Sequence, residues 1–505
     1  MPGSGKTTVG RLVAEHLGRP FIDTDALFEQ IHGSSVPHFL AERGEPAFRV
    51  AESAAVSVAC ATPGAVIGAG GGALLDPLNR WTLWHHGLVA WLRVPVEQLV
   101  ARLKSDTIVR PTLQPYDPGR LAEVLRARTG FYAAADLHLD AARAPQAIAG
   151  ELLALRSQPR GRRLLDVEVP RAHPMGPGRA RVVMGVDLDL NSLLPPGVVV
   201  ADRRAGTTAA GRAILELRGG ERAKRIRNLE RLLEWLALQR LEREEALIAV
   251  GGGTIGDLAG TAAALYSRGV PHVHVPTTWL AQADSAHGGK VAVDLASAKN
   301  AVGAFWPPIA VVSDVGALRT LPVRLRRDGM AESVKAALIG DPALWALIER
   351  RGAAALRQDE AARHAILERS VRLKLGVVER DPFETGERRT LNLGHTIGHA
   401  LEIESGYRLT HGAAVALGMR GVATIAAGRE ADPTLPEQLD DLLTALGFRL
   451  RHAFDPGAVR DAMLTDKKRR AGRQRWILPM AVGSVQEADD VTDDELTRAL
   501  SAIAA

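Results

Sequence analysis

The first residues able to do chemistry stand at the start of the sequence. Gly3-Ser4-Gly5-Lys6-Thr7 matches the end of the pattern G-x-x-x-x-G-K-[ST]. In such a loop glycines turn backbone N–H groups onto phosphates, the lysine reaches the β- and γ-phosphates, and the threonine hydroxyl can hold Mg²⁺. Gly3, Ser4, Gly5, Lys6, Thr7 and Thr8 are therefore candidate nucleotide-binding residues. The stretch that follows, 7–18, is amphipathic, as the helix after such a loop should be. Downstream, Phe21-Ile22-Asp23-Thr24-Asp25 reads as a strand with two carboxylates on one face. Arg49 and Glu52 lie three apart on a predicted helix, a buried strand ends in Gly70-Gly71-Gly72, and Arg110 and Arg128 follow. Taken singly, each fits a surface charge or a turn. Taken together, they describe a phosphoryl-transfer site for a small anionic acceptor.

A second group lies further along. Ala249–Asp257 is a strand running into a glycine-rich turn and a helix, which suits a dinucleotide pyrophosphate at a helix N-terminus. On its own it fits a tight βα turn equally well. Thr277 and Thr278 offer hydroxyls after the next strand. His395 and His399, at i and i+4, share a helix face and could bind a metal together. A metalloprotease would need a glutamate between them, and Thr396 stands there. His411 supplies a third imidazole and Glu332 a carboxylate, with Lys335 one turn later. Two histidines and one glutamate with an open position are a common catalytic zinc set; each histidine alone fits a satisfied core position.

These residues need a frame. A length of 505 residues suggests about three domains. Apolar residues at 46 % and charged residues at 24 % exclude a chain disordered throughout. The net charge of +5 is too small for a nucleic-acid-coating face, so no nucleic-acid partner is expected. Cys60 is the single cysteine, which excludes an intramolecular disulfide and any multi-cysteine metal site; it should pack as a small hydrophobe. No run approaches the roughly 18 apolar residues of a membrane span, and no secretory leader opens the sequence. A cytoplasmic location without membrane partners is expected. The expected fold class is α/β. Residues 1–156 alternate strands and helices, 157–178 read as a Pro- and Gly-rich linker with room for one short strand, 179–314 return to α/β, and 315–505 are mostly helical.

Residues 1–156 resemble the shikimate kinases, in spacing as well as in motifs. The resemblance implies a P-loop kinase domain using ATP with Mg²⁺. Lys6 and Arg110 would contact the transferring phosphates, Arg110 from a mobile lid. Thr7 and Asp23 would sit at the Mg²⁺, and Asp25 would orient the shikimate hydroxyl as base. Arg49 and Arg128 would hold the shikimate carboxylate, whose planar shape suits a guanidinium fork. Gly70, Gly71 and Gly72 would shape the pocket. The sequence opens inside the phosphate loop, without that family's first strand and first loop glycine, so a true start upstream is expected.

Residues 179–483 resemble 3-dehydroquinate synthase, through GGGTIGDLAG, LYSRGVPHVHVPTTWLAQADS, MAESVK, LNLGHTIGHALE, HGAAVALGM and DKKRRAG. The resemblance implies an α/β NAD-binding domain followed by a helical metal-binding domain. Glu332, His395 and His411 would bind Zn²⁺, or Co²⁺ in its place. His399 would handle a proton rather than ligate. Asp284 and Lys335 would contact the hydroxyls being oxidised. Lys290, Asn300, Lys374, Arg388, Asn392 and Arg268 would hold the substrate carboxylate and phosphate, with Lys467 or Lys468 closing over the phosphate. NAD would use Gly252, Gly253, Asp257, Thr277 and Thr278, with Glu221, Lys224 and Lys299 as further candidates. A homodimer through the synthase part is implied, with Arg268 reaching a neighbour's site. The sequence departs from that family in a shortened 202–220 stretch, and in Asp294, His287 and Ala413, where Asn, Val and Glu are usual. The expected function is bifunctional. One activity is ATP-dependent phosphorylation of shikimate to shikimate 3-phosphate. The other is NAD- and zinc-dependent conversion of 3-deoxy-D-arabino-heptulosonate 7-phosphate into 3-dehydroquinate and phosphate. The alternative is a synthase alone, with residues 1–156 as a non-catalytic module.

Overall fold

The computed structural model describes residues 1–505 except 106–112, 158–161, 175, 207–210, 296–297 and 465–473. Arg110, Lys467 and Lys468 thus lie outside the described residues. The chain divides into two compact units: Met1–Glu168 with Val183–Leu188, and Val169–Val182 with Asp189–Ala505.

In the first unit the glycine-rich loop leads into α1 (Lys6–Leu17). Gly18, in the left-handed region (φ 61°), ends that helix by returning its N–H to the last turn. Then follow β1 (Phe21–Asp23), α2 (Thr24–His32), α3 (Val36–Ala61) and β2 (Val66–Gly68). After them come α4 (Pro77–His86), β3 (Ala90–Arg93), α5 (Val96–Lys104), α6 (Pro118–Tyr132), β4 (Leu137–Asp140) and α7 (Pro145–Leu155). Asp76 and Asp117 cap α4 and α6, each just ahead of a first-turn proline. The expected α/β alternation is present. Among the described residues its strands form two separate parallel pairs, β1 with β2 and β3 with β4. Val9, Val13, Leu99, Leu103, Leu121, Leu139 and Ile148 make the core around them. Arg80 is fully buried; it donates to the carbonyls of Leu74 and Leu164 and lies over the Phe131 ring.

A seven-stranded sheet, most of it in the second unit, has the order β5-β6-β13-β10-β9-β7-β8. Its strands are β5 (Arg163–Arg171), β6 (Gly178–Gly185), β7 (Gly197–Asp202), β8 (Ile214–Leu217), β9 (Ala246–Gly251), β10 (His272–Pro276) and β13 (Ala310–Asp314). The segment expected as a linker therefore carries a nine-residue edge strand, where a short one was read. Its alternation of apolar with charged residues, LLDVEV, suits a strand at the border of a sheet. The pairs β8–β7, β7–β9, β9–β10 and β10–β13 are parallel. β9 is buried at every residue, as a central parallel strand must be. Between β6 and β10 lie α8 (Leu190–Leu193), α9 (Ile226–Leu238) and α10 (Gly253–Leu265). β11 (Lys290–Val293) and β12 (Val302–Phe305) form an antiparallel pair.

Past β13 the chain is mostly helical: α11 (Val323–Gly340), α12 (Pro342–Ala355), α13 (Glu360–Arg380), α14 (His395–Glu404), α15 (His411–Ala427), α16 (Leu435–Ala445) and α17 (Pro456–Leu464). An antiparallel pair, β14 (Trp476–Ala481) and β15 (Ser484–Ala488), precedes α18 (Asp493–Ile503), whose start is a Thr492/Glu495 capping box. Among the described residues no helix is long and apolar enough to cross a membrane.

Candidate active sites

In the first unit Gly3 and Gly5 take positive φ (76° and 87°), which shapes the loop ahead of α1. Lys6 Nζ lies 3.2 Å from Asp23 Oδ2, and Thr7 donates to the same oxygen at 2.9 Å. Burial works against the Asp23 charge, but Lys6 and Thr7 hold its pKa below the usual value. Lys6 is also 3.9 Å from Asp25. Thr24, between the two aspartates, accepts from Gly70 N–H at 2.8 Å and so brings the glycine turn to the carboxylates. A Cβ on Gly70 would lie 2.4 Å from Asp25 Oδ1, and one on Gly72 would lie 2.6 Å from Arg49 Nη1. A side chain at either position would push the Asp25 carboxylate or the Arg49 guanidinium aside. Arg49 pairs with Glu52 at 2.7 Å and Glu45 at 2.9 Å. Arg128 donates to the Gly71 carbonyl at 3.0 Å, and Tyr132 OH donates to it at 2.8 Å. Lys6, Asp23, Asp25, Arg49, Arg128 and Gly70–Gly72 thus come together. Thr24, Glu45 and Tyr132 were missed. Tyr132 stands four residues after Arg128 on α6, a spacing that could have flagged it.

In the second unit Glu332 is buried on α11. Its Oε1 lies 3.2 Å from His411 Nε2 and 3.7 Å from His395 Nε2. Small residues make this possible. Gly412 N–H donates to Asp328 Oδ1 at 2.8 Å, and a Cβ on Gly412 would lie 1.9 Å from the Asp328 carbonyl. The start of α15 is thereby seated on α11 one turn before Glu332. A Cβ on Gly418 would meet the Gly394 carbonyl at 1.9 Å, so the start of α14 is seated on α15.

The outer imidazole nitrogens are tied down. His411 Nδ1 faces Glu402 Oε1 at 2.7 Å, and His395 Nδ1 faces the Leu393 carbonyl at 3.1 Å. Both Nε2 atoms are left toward Glu332, the arrangement in which histidines hold a divalent ion. Burial alone would lower the His411 pKa, but its two carboxylate partners push it up to about 10. The pocket thus demands positive charge, and Glu332, His395 and His411 fit a Zn²⁺-type ion. His399, Glu402 and His411 form a second close group. There Glu402 already engages His411 Nδ1, so the geometry favours the Glu332 set. Glu402 itself was missed; it stands three residues after His399 on the same helix.

Lys335 pairs with Glu332 and lies 3.9 Å from Asp284. Asp284 sits on a π-helical turn, Ala281–Ser285, a form frequent at functional sites. Lys374 Nζ donates to its carboxylate and its carbonyl, each at 2.7 Å. Burial opposes the Asp284 charge, and the two lysines hold its pKa low. Nearby in the sequence, Glu384 gathers Lys290 (2.5 Å) and Asn392 (2.9 Å). Arg388 donates to the carbonyls of Gly288 (2.8 Å) and Pro382. The turn holding Glu384 and Arg388 is folded by Asp381, which accepts N–H groups of Thr385, Gly386 and Arg388. Glu384 and Asp381 were also missed.

Two expected anion-holding residues stand elsewhere. Asn300 accepts from Lys224 at 2.5 Å, and Lys224 also pairs with Asp257 at 2.7 Å. Asp294 fixes this by accepting the Asn300 N–H at 2.7 Å, which turns Asn300 toward the nucleotide-side residues. Arg268 is exposed on a turn with φ 64° and joins neither cluster. On the nucleotide side, Thr277 N–H donates to the Gly251 carbonyl, and a Cβ on Gly252 would touch Thr278. Gly252 and Gly253 open α10 directly after β9. That strand–turn–helix fits a dinucleotide pyrophosphate. Lys299 pairs with Glu221 at 2.6 Å and lies 3.5 Å from Glu402.

The comparisons with known proteins agree with this division. Residues 2–156 match the family model described as shikimate kinase. Residues 214–328 and 329–469 match the N-terminal and C-terminal models of 3-dehydroquinate synthase. A 3-dehydroquinate synthase of Desulforamulus reducens is 37 % identical over 325 residues, 64 % of this chain and 90 % of that protein. One from Xanthomonas campestris pv. campestris is 43 % identical over 290 residues, 55 % of this chain and 78 % of that protein. Among solved structures, 2-epi-5-epi-valiolone synthase (ValA) from Streptomyces hygroscopicus subsp. jinggangensis, with NAD⁺ and Zn²⁺ bound, is similar at TM-score 0.61 and 27 % identity. That match covers 66 % of this chain and 99 % of that one.

The protein is an enzyme that joins a phosphotransferase domain to an α/β-plus-helical lyase. The chain belongs to the 3-dehydroquinate synthase family and carries a shikimate kinase domain ahead of the synthase, which makes it a bifunctional enzyme of aromatic amino acid biosynthesis.

Proposed function

We propose that the first unit transfers the γ-phosphoryl group of ATP to shikimate, giving shikimate 3-phosphate. Lys6 pairs with the transferring phosphates. Thr7 and Asp23 would hold Mg²⁺, which when bound neutralises phosphate charge. Arg49 and Arg128 hold the shikimate carboxylate. Asp25 accepts the hydroxyl proton as that oxygen attacks the γ-phosphorus and ADP leaves. The reading is carried by the meeting of Asp25, Arg49 and the Gly70–Gly72 turn beside Lys6.

The second unit converts 3-deoxy-D-arabino-heptulosonate 7-phosphate into 3-dehydroquinate and phosphate. When bound, NAD⁺ supplies a hydride acceptor and donor, and a divalent ion on Glu332, His395 and His411 supplies a Lewis acid. Lys335 and Asp284 orient the hydroxyl to be oxidised, and His399 handles its proton. Lys290, Lys374, Arg388 and Asn392 hold the substrate carboxylate and phosphate and favour phosphate departure by offsetting its charge. Ring opening and an intramolecular aldol closure complete the product. Gly252, Gly253, Asp257 and Thr278 seat the dinucleotide. Arg268, exposed on its turn, is offered to a second copy in a homodimer. The carrying observation is the convergence of both Nε2 atoms on Glu332 with the outer nitrogens tied. The test assays both reactions on the full chain. A chelator should abolish 3-dehydroquinate formation, and Zn²⁺ should restore it. No 3-dehydroquinate with Zn²⁺ and NAD⁺ supplied, or no shikimate 3-phosphate with Mg²⁺ and ATP, would refute the corresponding half.

A further inference from the structure

The second unit holds a cavity of about 270 Å³ that neither proposed reaction uses. It lies between the edge strand β5, its neighbour β6, the end of α13, and the 305–308 and 382–383 segments. Its walls are mostly apolar; Pro177, Val182, Phe305, Pro307, Val378 and Phe383 are typical. A cavity of about 150 Å³ already takes benzene, so this one has room for a single ring with a short substituent.

The polar lining is sparse. Arg171 lines the cavity at the end of β5. Among the described residues its guanidinium makes one long contact, from Nη1 to the Pro307 carbonyl at 3.5 Å, while Nε is buried without a partner. Arg171 is only partly buried, and the enclosed Nε is the donor that lacks a partner. Desolvation already lowers its pKa. His287, also in the lining, is buried, and burial pushes its pKa down to about 3. It is neutral at working pH and adds no second charge. Glu379 is the acidic residue of the lining and is exposed at the end of α13.

We propose that this cavity is a binding site for a small, mostly apolar carboxylic acid, its ring against Phe305, Phe383 and the prolines and its carboxylate on the Arg171 guanidinium. The carboxylate supplies the acceptors that Arg171 lacks, in the planar geometry a guanidinium matches. A neutral ligand would leave that charge half-satisfied. The site is wired to the synthase chemistry. The two carbonyls that hold the Arg388 guanidinium belong to Gly288 and Pro382, and both residues line the cavity. An occupant that fixes this wall fixes Arg388 against its carbonyls and away from a substrate anion. Binding in the cavity therefore raises the synthase KM.

The experiment is calorimetric titration of the full chain with phenylacetate, and with phenylacetamide as its uncharged twin. Phenylacetate is expected to bind one per chain, with phenylacetamide at least tenfold weaker. Arg171→Met should weaken phenylacetate at least tenfold, Arg171→Lys should restore part of it, and Val378→Phe should abolish it by filling the cavity. Circular dichroism melts confirm that each variant is folded. Equal binding of acid and amide, unchanged affinity in Arg171→Met, or absence of saturable binding overturns the site. The KM readout rests on the proposed synthase reaction, whereas the titration does not, so the two readings fail separately. Saturating phenylacetate that leaves KM unchanged, while the titration succeeds, overturns the coupling to Arg388.

Discussion

The two units solve the same problem, holding a small organic anion, in opposite environments. In the kinase pocket the charged groups are open to water: the side chains of Lys6, Asp25 and Arg49 are 23 %, 49 % and 29 % exposed. In the synthase site Glu332, Lys335 and Arg388 are no more than 3 % exposed. Phosphoryl transfer is driven by positioning and by charge brought in with the nucleotide and its ion, so an open cleft that assembles around substrate suffices. The hydride transfer and phosphate elimination proposed for the second unit need water kept out, and they need fixed dipoles in place beforehand. Burial of these charges is tolerated because each has a partner: Lys335 has Glu332, Lys374 has Asp284, and Arg388 donates to two carbonyls. The open site can lose one partner and adapt, whereas in the buried site each lost partner strands another charge.

The sharpest way to break this contrast is His395→Ala. It should remove zinc from the chain and lower synthase turnover by at least about 10³-fold, with kinase activity intact; elemental analysis and the two assays read it. Lys6→Ala makes the reciprocal cut. Kinase kcat should fall about 10²–10³-fold, comparable to removal of one strong transition-state donor, while synthase turnover is unchanged. A matching loss in the synthase assay would contradict independent sites. Glu402→Gln probes how far the buried site depends on partners that touch no substrate. Zinc affinity, read by competition with a chelating dye, should fall about 10–100-fold, because His411 exchanges a charged carboxylate acceptor for a neutral amide and becomes a weaker ligand. The smallest effect belongs to Asp381→Asn, which loosens the turn carrying Glu384 and Arg388. Its pH dependence follows from the Asp381 carboxyl: burial opposes the charge, but backbone N–H groups hold its pKa at about 2. A carboxyl lowered in the folded state stabilises above its unfolded value of 3.8 and loses that contribution as pH falls toward 2. The variant should therefore melt lower than the parent at neutral pH, and the two should converge between about pH 4 and pH 2.

Much of each site was legible in the sequence because the chemistry demands local spacing. The phosphate loop, the Asp23/Asp25 pair and the two histidines of α14 each declare themselves within a few residues. Residues that act by completing another's hydrogen bonds were not. Glu402, Asp381, Glu384 and Tyr132 have ordinary types at ordinary spacings, and only the fold shows which atoms they face. The contacts of Asn300 were hidden for the same reason, since Asp294 holds its backbone N–H and Lys224 meets its side chain. At fold level the α/β alternation and the helical second half were readable from apolar periodicity. The strand β5 was underestimated because Pro and basic residues flank it, and flanking composition outweighed its own alternation.

The small residues of α10 have one more consequence. A Cβ on Gly260 would lie 2.3 Å from Val291 Cγ1, and one on Gly256 would lie 3.0 Å from the His274 ring. The depth at which this helix sits on the sheet is thus set by what its inner face lacks. Its first turn carries Gly253 and, through Gly252, the position of the backbone amides aimed at a dinucleotide. One methyl group at position 260, about two turns past Gly253, would press the helix away from Val291 and displace those amides with it. Cofactor affinity in this enzyme is in that sense a dimension of its packing, adjustable from residues that no cofactor touches.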